Sequence, residues 1–212
     1  MLFERNELRF DNIICLNSKI TKKINKVKYS NKILAADGGF FRLLKLKIIA
    51  DIVIGDFDSI ENIEEINYNK TTFIKDNDQE TNDFEKVLNY CVQNNLNNIL
   101  VLGINGGQLE HTLNNISILK KFSKKLNLFF YDKKRLGFII DKNIEVKSKI
   151  NELISIIPIS KADLLTKNLK WNLLNDFLEI GVREGARNRS IGDNFEINVI
   201  NGQIILFIDC DL

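Results

Sequence analysis

The sequence predicts an α/β fold in two parts, a parallel-sheet domain over residues 1–132 followed by an antiparallel β-sandwich over residues 133–212. Up to Tyr131, short apolar runs alternate with helical patterns, which is the rhythm of a parallel sheet. After Tyr131 the short strands follow one another with only turns between them. Asp132-Lys133-Lys134 marks the change.

The first domain reads as six strands: Ile13 to Leu16, Ile33 to Ala36, Ile52 to Ile54, Thr72 to Ile74, Ile99 to Leu102 and Leu126 to Tyr131. Its best helix starts near Asn82, a capping residue with Glu85 three positions on. Phe84, Val87, Leu88 and Cys91 then share one helix face. The second domain reads as strands at Arg135 to Ile140, Ile144 to Lys147, Leu153 to Ile157, Phe195 to Ile200 and Ile204 to Ile208, with no helix between them. Asn201-Gly202 between two apolar runs predicts a hairpin.

At 212 residues, 44% hydrophobic and 27% charged, the chain has the balance of a soluble protein with a sizeable core. A net charge of +2 with scattered lysines gives no stripe for nucleic acid. No apolar run approaches the ~20 residues that span a bilayer, and no export signal precedes Glu4 and Arg5. Cys15, Cys91 and Cys210 form an odd set without metal-ligand spacing, which reads as buried free thiols in a reducing cytoplasm.

Chemistry concentrates at two strand ends. Ile52-Val53-Ile54 runs into Gly55-Asp56-Phe57-Asp58-Ser59, and Ile33-Leu34-Ala35-Ala36 runs into Asp37-Gly38-Gly39. Asp and Gly are ordinary turn residues, and a lone Asp-X-Asp is more often solvated than metal-bound. Two such tips together, however, offer carboxylates where open α/β sheets hold ligands, beside glycines that let backbone approach a phosphate. Hard oxygen donors of this kind suit Mg²⁺, which keeps waters and nucleotide phosphate oxygens in its shell. The helix beginning at Asp83 adds an N-terminus that favours anions, with Thr81 just before it.

The stretch from Ala35 to Ile60 resembles the signature of thiamin pyrophosphokinases. The resemblance continues at Asp78-Gln79-Glu80-Thr81-Asn82-Asp83, at Gly106-Gly107-Gln108-Leu109-Glu110-His111-Thr112-Leu113-Asn114-Asn115-Ile116 and at Asn168-Leu169-Lys170-Trp171-Asn172-Leu173. Gly185-Ala186-Arg187-Asn188 falls where the family has Gly-X-Ser-Asn. Glu80, Asn82, Gln108, Glu110 and Arg187 depart from the family pattern, and Gln108 removes an arginine's positive charge.

The resemblance implies a Rossmann-like ATP-binding domain, a thiamin-binding sandwich and a homodimer with shared active sites. The reaction it implies transfers the terminal diphosphate of ATP to the hydroxyl of thiamin, giving thiamin diphosphate and AMP. Asp56, Asp58, Asp78, Glu80 and Asp83 are then the catalytic candidates, with Asp56, Asp58 and Glu80 holding Mg²⁺. Asp37, Gly38, Gln79, Thr81, Thr112 and Asn115 are the nucleotide-binding candidates, with Asn17 a weaker one. Trp171 reads as a face for the flat, cationic thiamin and Asn188 as a hydrogen-bond partner of its pyrimidine. His111, at a helix start, reads as a capping or surface residue. A related magnesium-dependent transferase with another acceptor, and a silent nucleotide-binding regulator, are the alternatives.

Overall fold

The computed structural model describes residues 2–20, 30–58 and 70–212. They form two compact units, one of residues 9–133 and one of residues 2–8 with 134–211. The fold is mixed α/β, with large sheets and few helices.

The chain opens with β1 (Leu2–Phe3), which belongs to the second unit. The first unit then contains β2 (Asn12–Cys15), β3 (Lys32–Ala36), α1 (Gly39–Leu44), β4 (Ile52–Gly55), β5 (Thr72–Lys75), α2 (Asp83–Gln93), β6 (Ile99–Leu102), α3 (Leu109–Phe122) and β7 (Leu128–Asp132). Its strands pair in parallel in the order β7-β6-β2-β3-β4-β5. Every residue of β2, β4 and β6 is buried, which is why these segments read as unbroken apolar runs and not as alternating ones. β6 lies on the opposite side of β2 from β3, so the winding reverses there. In an open α/β sheet that reversal leaves a crevice at the carboxyl ends of the two strands.

Side chains of α1 and β2 to β4 close one core: Phe40 and Leu43 pack with Cys15, Ala35, Val53 and Phe57. The Phe73 ring of β5 meets Phe40 and Phe57 edge-on at 5.4 and 5.9 Å. The expected helix near Asn82 is α2, whose first turn is capped by Asn82 Oδ1 accepting from Glu85 N at 2.9 Å. The Glu85 carboxylate turns to Lys121 of α3. Phe84, Val87, Leu88 and Cys91 form its buried face as their spacing indicates, and Lys86 is buried beside them. Cys15, Cys91 and Cys210 are free thiols, all buried.

The second unit adds β8 (Arg135–Ile140), β9 (Ile144–Lys147), β10 (Leu153–Pro158), β11 (Ala162–Lys167), β12 (Asp176–Leu178), β13 (Gly185–Arg189), β14 (Asn194–Asn201) and β15 (Ile204–Asp209). One sheet runs β1-β9-β14-β11-β12, and the other strands follow the order β13-β10-β15-β8. Phe3 of β1 stacks on Phe138 of β8 with ring centroids 5.0 Å apart, joining one set of strands to the other. The first residues belong here because β1 pairs parallel with β9 and Arg5 donates to Lys147 O at 2.6 Å.

The hairpin expected at Asn201-Gly202 does not form, because β14 and β15 belong to different sheets. Gly202 takes φ +85°, as the turn chemistry requires, but the turn packs onto Lys161, where a Cβ would overlap the carbonyl oxygen. Gln203 N donates to Ser160 Oγ at 3.0 Å and Ile159 N to Gln203 O at 3.1 Å. Two connections therefore cross between the sheets side by side, β10 to β11 and β14 to β15. Asn-Gly specifies a left-handed residue; it does not specify which strand the chain pairs with next.

Candidate active site

A cleft of about 500 Å³ opens where β2 and β6 end, lined among others by Asn17, Asp83, Gly106, Gln108, His111 and Asn115. Its walls are tight backbone junctions. Gly103 (φ +75°) passes so close to Leu16 that a Cβ would sit 2.8 Å from its carbonyl oxygen. Asn115, 8% exposed, donates Nδ2 to Ile104 O at 3.0 Å and so ties α3 to the loop after β6. Thr112, in the first turn of α3, has its Oγ1 3.2 Å from Gln108 O and 3.4 Å from Asn105 Oδ1 of that loop. His111 lies in the first turn of α3, and its Cβ occupies the space a side chain at Gly106 would need.

Asp83 lines this cleft, and Asp37 and Asp56 lie close enough for their charges to act on it. Asp37 follows β3 at φ +41°, and Gly55 makes room for it, since a Cβ there would lie 2.8 Å from the Asp37 Cβ. Asp56 follows β4, and its Oδ1 accepts from Asp58 N at 3.2 Å. Between them Phe57 adopts φ +64° and buries its ring, anchoring the tip to the core. Burial pushes the Asp83 carboxyl above its ordinary range; Lys86 opposes the rise, while the charges of Asp37 and then Asp56 add to it. Asp37, Asp56 and Asp83 thus share one electrostatic site.

Asp58, Asp78 and Glu80 are exposed. Asp78 organises its own loop: Oδ1 accepts from Glu80 N at 2.9 Å and Oδ2 from Thr81 Oγ1 at 2.7 Å. The Glu80 amide, then the Thr81 hydroxyl, hold the Asp78 carboxyl below its usual range. Gln79 is exposed, with Nε2 3.5 Å from Asn77 O. Ser59 and Ile60, which close the acidic segment, lie outside the described residues. Among the described residues no three His, Cys, Asp or Glu side chains close on one point as a metal-ligand set. The donor chemistry still suits Mg²⁺, which takes one or two carboxylates and completes its shell with water and phosphate oxygens.

Lys86 escaped the sequence reading. It is 5% exposed, and its Nζ donates to Asp76 O at 3.0 Å and lies 3.4 Å from Asp83 Oδ1. A lysine three residues after an aspartate, inside an otherwise apolar helix face, is the signal that identifies it. Asp76 was likewise missed; its Oδ1 accepts from Asp78 N at 3.0 Å.

The second unit holds its own cleft, of about 490 Å³, bordered by Ile156, Leu173, Leu178, Arg187, Asn188 and Trp171. Trp171 is 57% exposed, not a core residue, and Lys170 Nζ sits 4.7 Å from its ring centroid. Asn188 is 7% exposed; Oδ1 accepts from Trp171 N at 3.1 Å and Nδ2 donates to Trp171 O at 2.7 Å. Its amide therefore fixes the Trp171 backbone. Arg187 takes φ +60° and its N donates to Ser155 Oγ at 3.1 Å.

Residues 24–130 match the family model described as thiamin pyrophosphokinase, catalytic domain. Thiamin pyrophosphokinase 1 of Caenorhabditis elegans is 28% identical over 173 residues, covering 74% of this chain and 69% of its own. Among solved structures, thiamine pyrophosphokinase from Bacillus subtilis superposes with a TM-score of 0.79 at 22% identity, over 95% of this chain and 100% of that one. Thiamin pyrophosphokinase from Candida albicans gives 0.82 at 22% identity, over 99% and 92%. The structural likenesses establish the fold, and the match across the acidic tips and the cleft loop establishes the lineage: the chain belongs to the thiamin pyrophosphokinase family.

Proposed function

We propose that the protein transfers the terminal diphosphate of ATP to the hydroxyl of thiamin, releasing AMP and thiamin diphosphate. The observation that carries this reading is the cleft at the winding reversal, lined by Asp83 and reached by the charges of Asp37 and Asp56, within the stretch matched by the catalytic domain. In this reading the first unit is a Rossmann-like nucleotide domain and the second a thiamin-binding β-sandwich.

ATP lies in the cleft with its phosphates toward the loop ending at Gln108, where the amides opening the 14-residue α3 favour anions. Asp56, with Asp37 or Asp58, would hold Mg²⁺, which would offset the charge that spreads over the phosphates during in-line displacement. Asp83, with its proton affinity raised by burial, takes the proton of the attacking hydroxyl. Lys86 keeps that carboxylate oriented. Asp78, Thr81 and Gln79 shape the loop before α2, and Thr112 and Asn115 shape the loop before α3. Incubating the protein with ATP, Mg²⁺ and thiamin should yield AMP and thiamin diphosphate. AMP formed only with another alcohol would reassign the acceptor, and nucleotide binding without turnover would make the chain a regulator.

Trp171 presents its indole to the thiamin rings, and Asn188 holds the Trp171 backbone in place, leaving its second Nδ2 hydrogen for the pyrimidine. Trp171→Ala should weaken thiamin binding by about 2- to 30-fold, the range of a cation–π contact, and leave ATP binding unchanged. The ring is more than half exposed, so the melting temperature should hardly move. Equal losses for both substrates would exclude this contact.

The active protein is a cytoplasmic homodimer with each site built from two chains, as the family resemblance implies. Mixing Asp56→Asn with Trp171→Ala protomers, assayed at a thiamin concentration low enough that the Trp171→Ala homodimer has little activity of its own, should then restore about a quarter of wild-type activity, since about half the dimers are mixed and each has one intact site. Absence of rescue in mixed dimers confirmed by mass would show that each site lies within one chain.

A further inference from the structure

We propose that Arg42 is the phosphate-binding cation of the nucleotide cleft, doing what Gln108 cannot. The inference rests on the reading that ATP occupies that cleft. A triphosphate is a polyanion, yet among the described residues lining the cleft there is a carboxylate, Asp83, and no lysine or arginine. Asp37 and Asp56 add negative charge beside it. Lys86 does not fill the gap, because its buried ammonium is committed to Asp76 O and Asp83.

Arg42 does. It projects from α1, half-buried, and its Nε donates to Asn17 Oδ1 at 3.0 Å. Asn17 lies on the cleft wall at the end of β2, and its amide packs against Gly38, where any side chain would displace it. Asn17 thereby fixes the guanidinium at the edge of the cleft by one nitrogen only. The two terminal nitrogens form no hydrogen bond or ion pair among the described residues, which leaves a planar fork for two phosphate oxygens. The cation thus comes from the β3 side of the reversal and not from the loop after β6.

The test is ATP binding by titration calorimetry, with thiamin KM and melting temperature measured in parallel. Arg42→Gln should raise the Kd for ATP by about ten- to a hundredfold, the range for losing a charged hydrogen-bond partner, with thiamin KM and melting temperature unchanged. Arg42→Lys should recover part of the loss, because an ammonium supplies charge without the fork. Adding Gln108→Arg to Arg42→Gln should restore affinity from the opposite wall. Binding by Arg42→Gln at the wild-type Kd would overturn the proposal, as would a parallel loss of ATP affinity, thiamin KM and melting temperature that Gln108→Arg fails to repair. Wild-type protein that binds no ATP would overturn the nucleotide reading itself, a result distinct from either.

Discussion

Replacing Asp56 by Asn is expected to lower kcat/KM by at least about a hundredfold, since even residues one shell removed from a catalytic metal cost 10- to 100-fold. Unlike most damaging substitutions, this one should not weaken the fold. Asp56 raises the Asp83 carboxyl by charge repulsion, so a neutral amide at 56 relieves part of that strain. A carboxyl whose folded pKa is raised contributes stability that is present at low pH and lost as pH rises through the raised value. Asp56→Asn reduces the rise at Asp83, so the variant should melt at the same temperature as wild type or higher at neutral pH. The gain should vanish in acid, where the carboxyls are protonated in both proteins. Near-wild-type turnover would remove the acidic tip from the chemistry, and a large fall in melting temperature would make Asp56 a structural residue.

Gly39→Ala should cost both stability and activity. A Cβ at Gly39 would overlap the backbone carbonyl of Cys15 on the neighbouring strand, and backbone cannot rotate away as a long side chain can. The start of α1 must move off β2, at a cost of about 1–3 kcal/mol for overpacking. Asp37, whose backbone carbonyl accepts from Phe40 N at 3.1 Å, moves with it. A shift of even about 1 Å at a catalytic group can cost about a hundredfold in rate. Thermal unfolding and ATP-dependent turnover measured together check this, and an unchanged melting temperature would show that the junction has slack.

The parallel unit was legible in the sequence because β2, β4 and β6 are buried along their whole length and therefore spell continuous apolar runs, ending in Asn or Gly. α2 was legible because Asn82 caps it and a single stripe is buried. Pairing partners were less legible. Asn201-Gly202 specifies a turn, yet its packing on Lys161 turns a local hairpin signal into a crossing between sheets. β13 carries Gly-Ala-Arg-Asn-Arg with no apolar alternation, and pairing with β10 through an irregular register orders it. The candidate site followed the same division. Asp56, Asp83 and Asn188 lie at strand or helix ends that motif spacing marks. Lys86 is marked locally only by Asp83 three residues before it; its contact with Asp76 O, like that of Arg42 with Asn17, joins residues that no local pattern pairs.

The central claim is that a diphosphate moves as one unit from ATP to thiamin at the Asp56 tip. ³¹P NMR of the reaction started with ATP, Mg²⁺ and thiamin follows every phosphorus at once. Thiamin diphosphate and AMP should accumulate in equal amounts, with no ADP and no thiamin monophosphate at any time, and Asp56→Asn should leave the ATP signals unchanged. ADP appearing together with thiamin monophosphate, or equal turnover by Asp56→Asn, would contradict it.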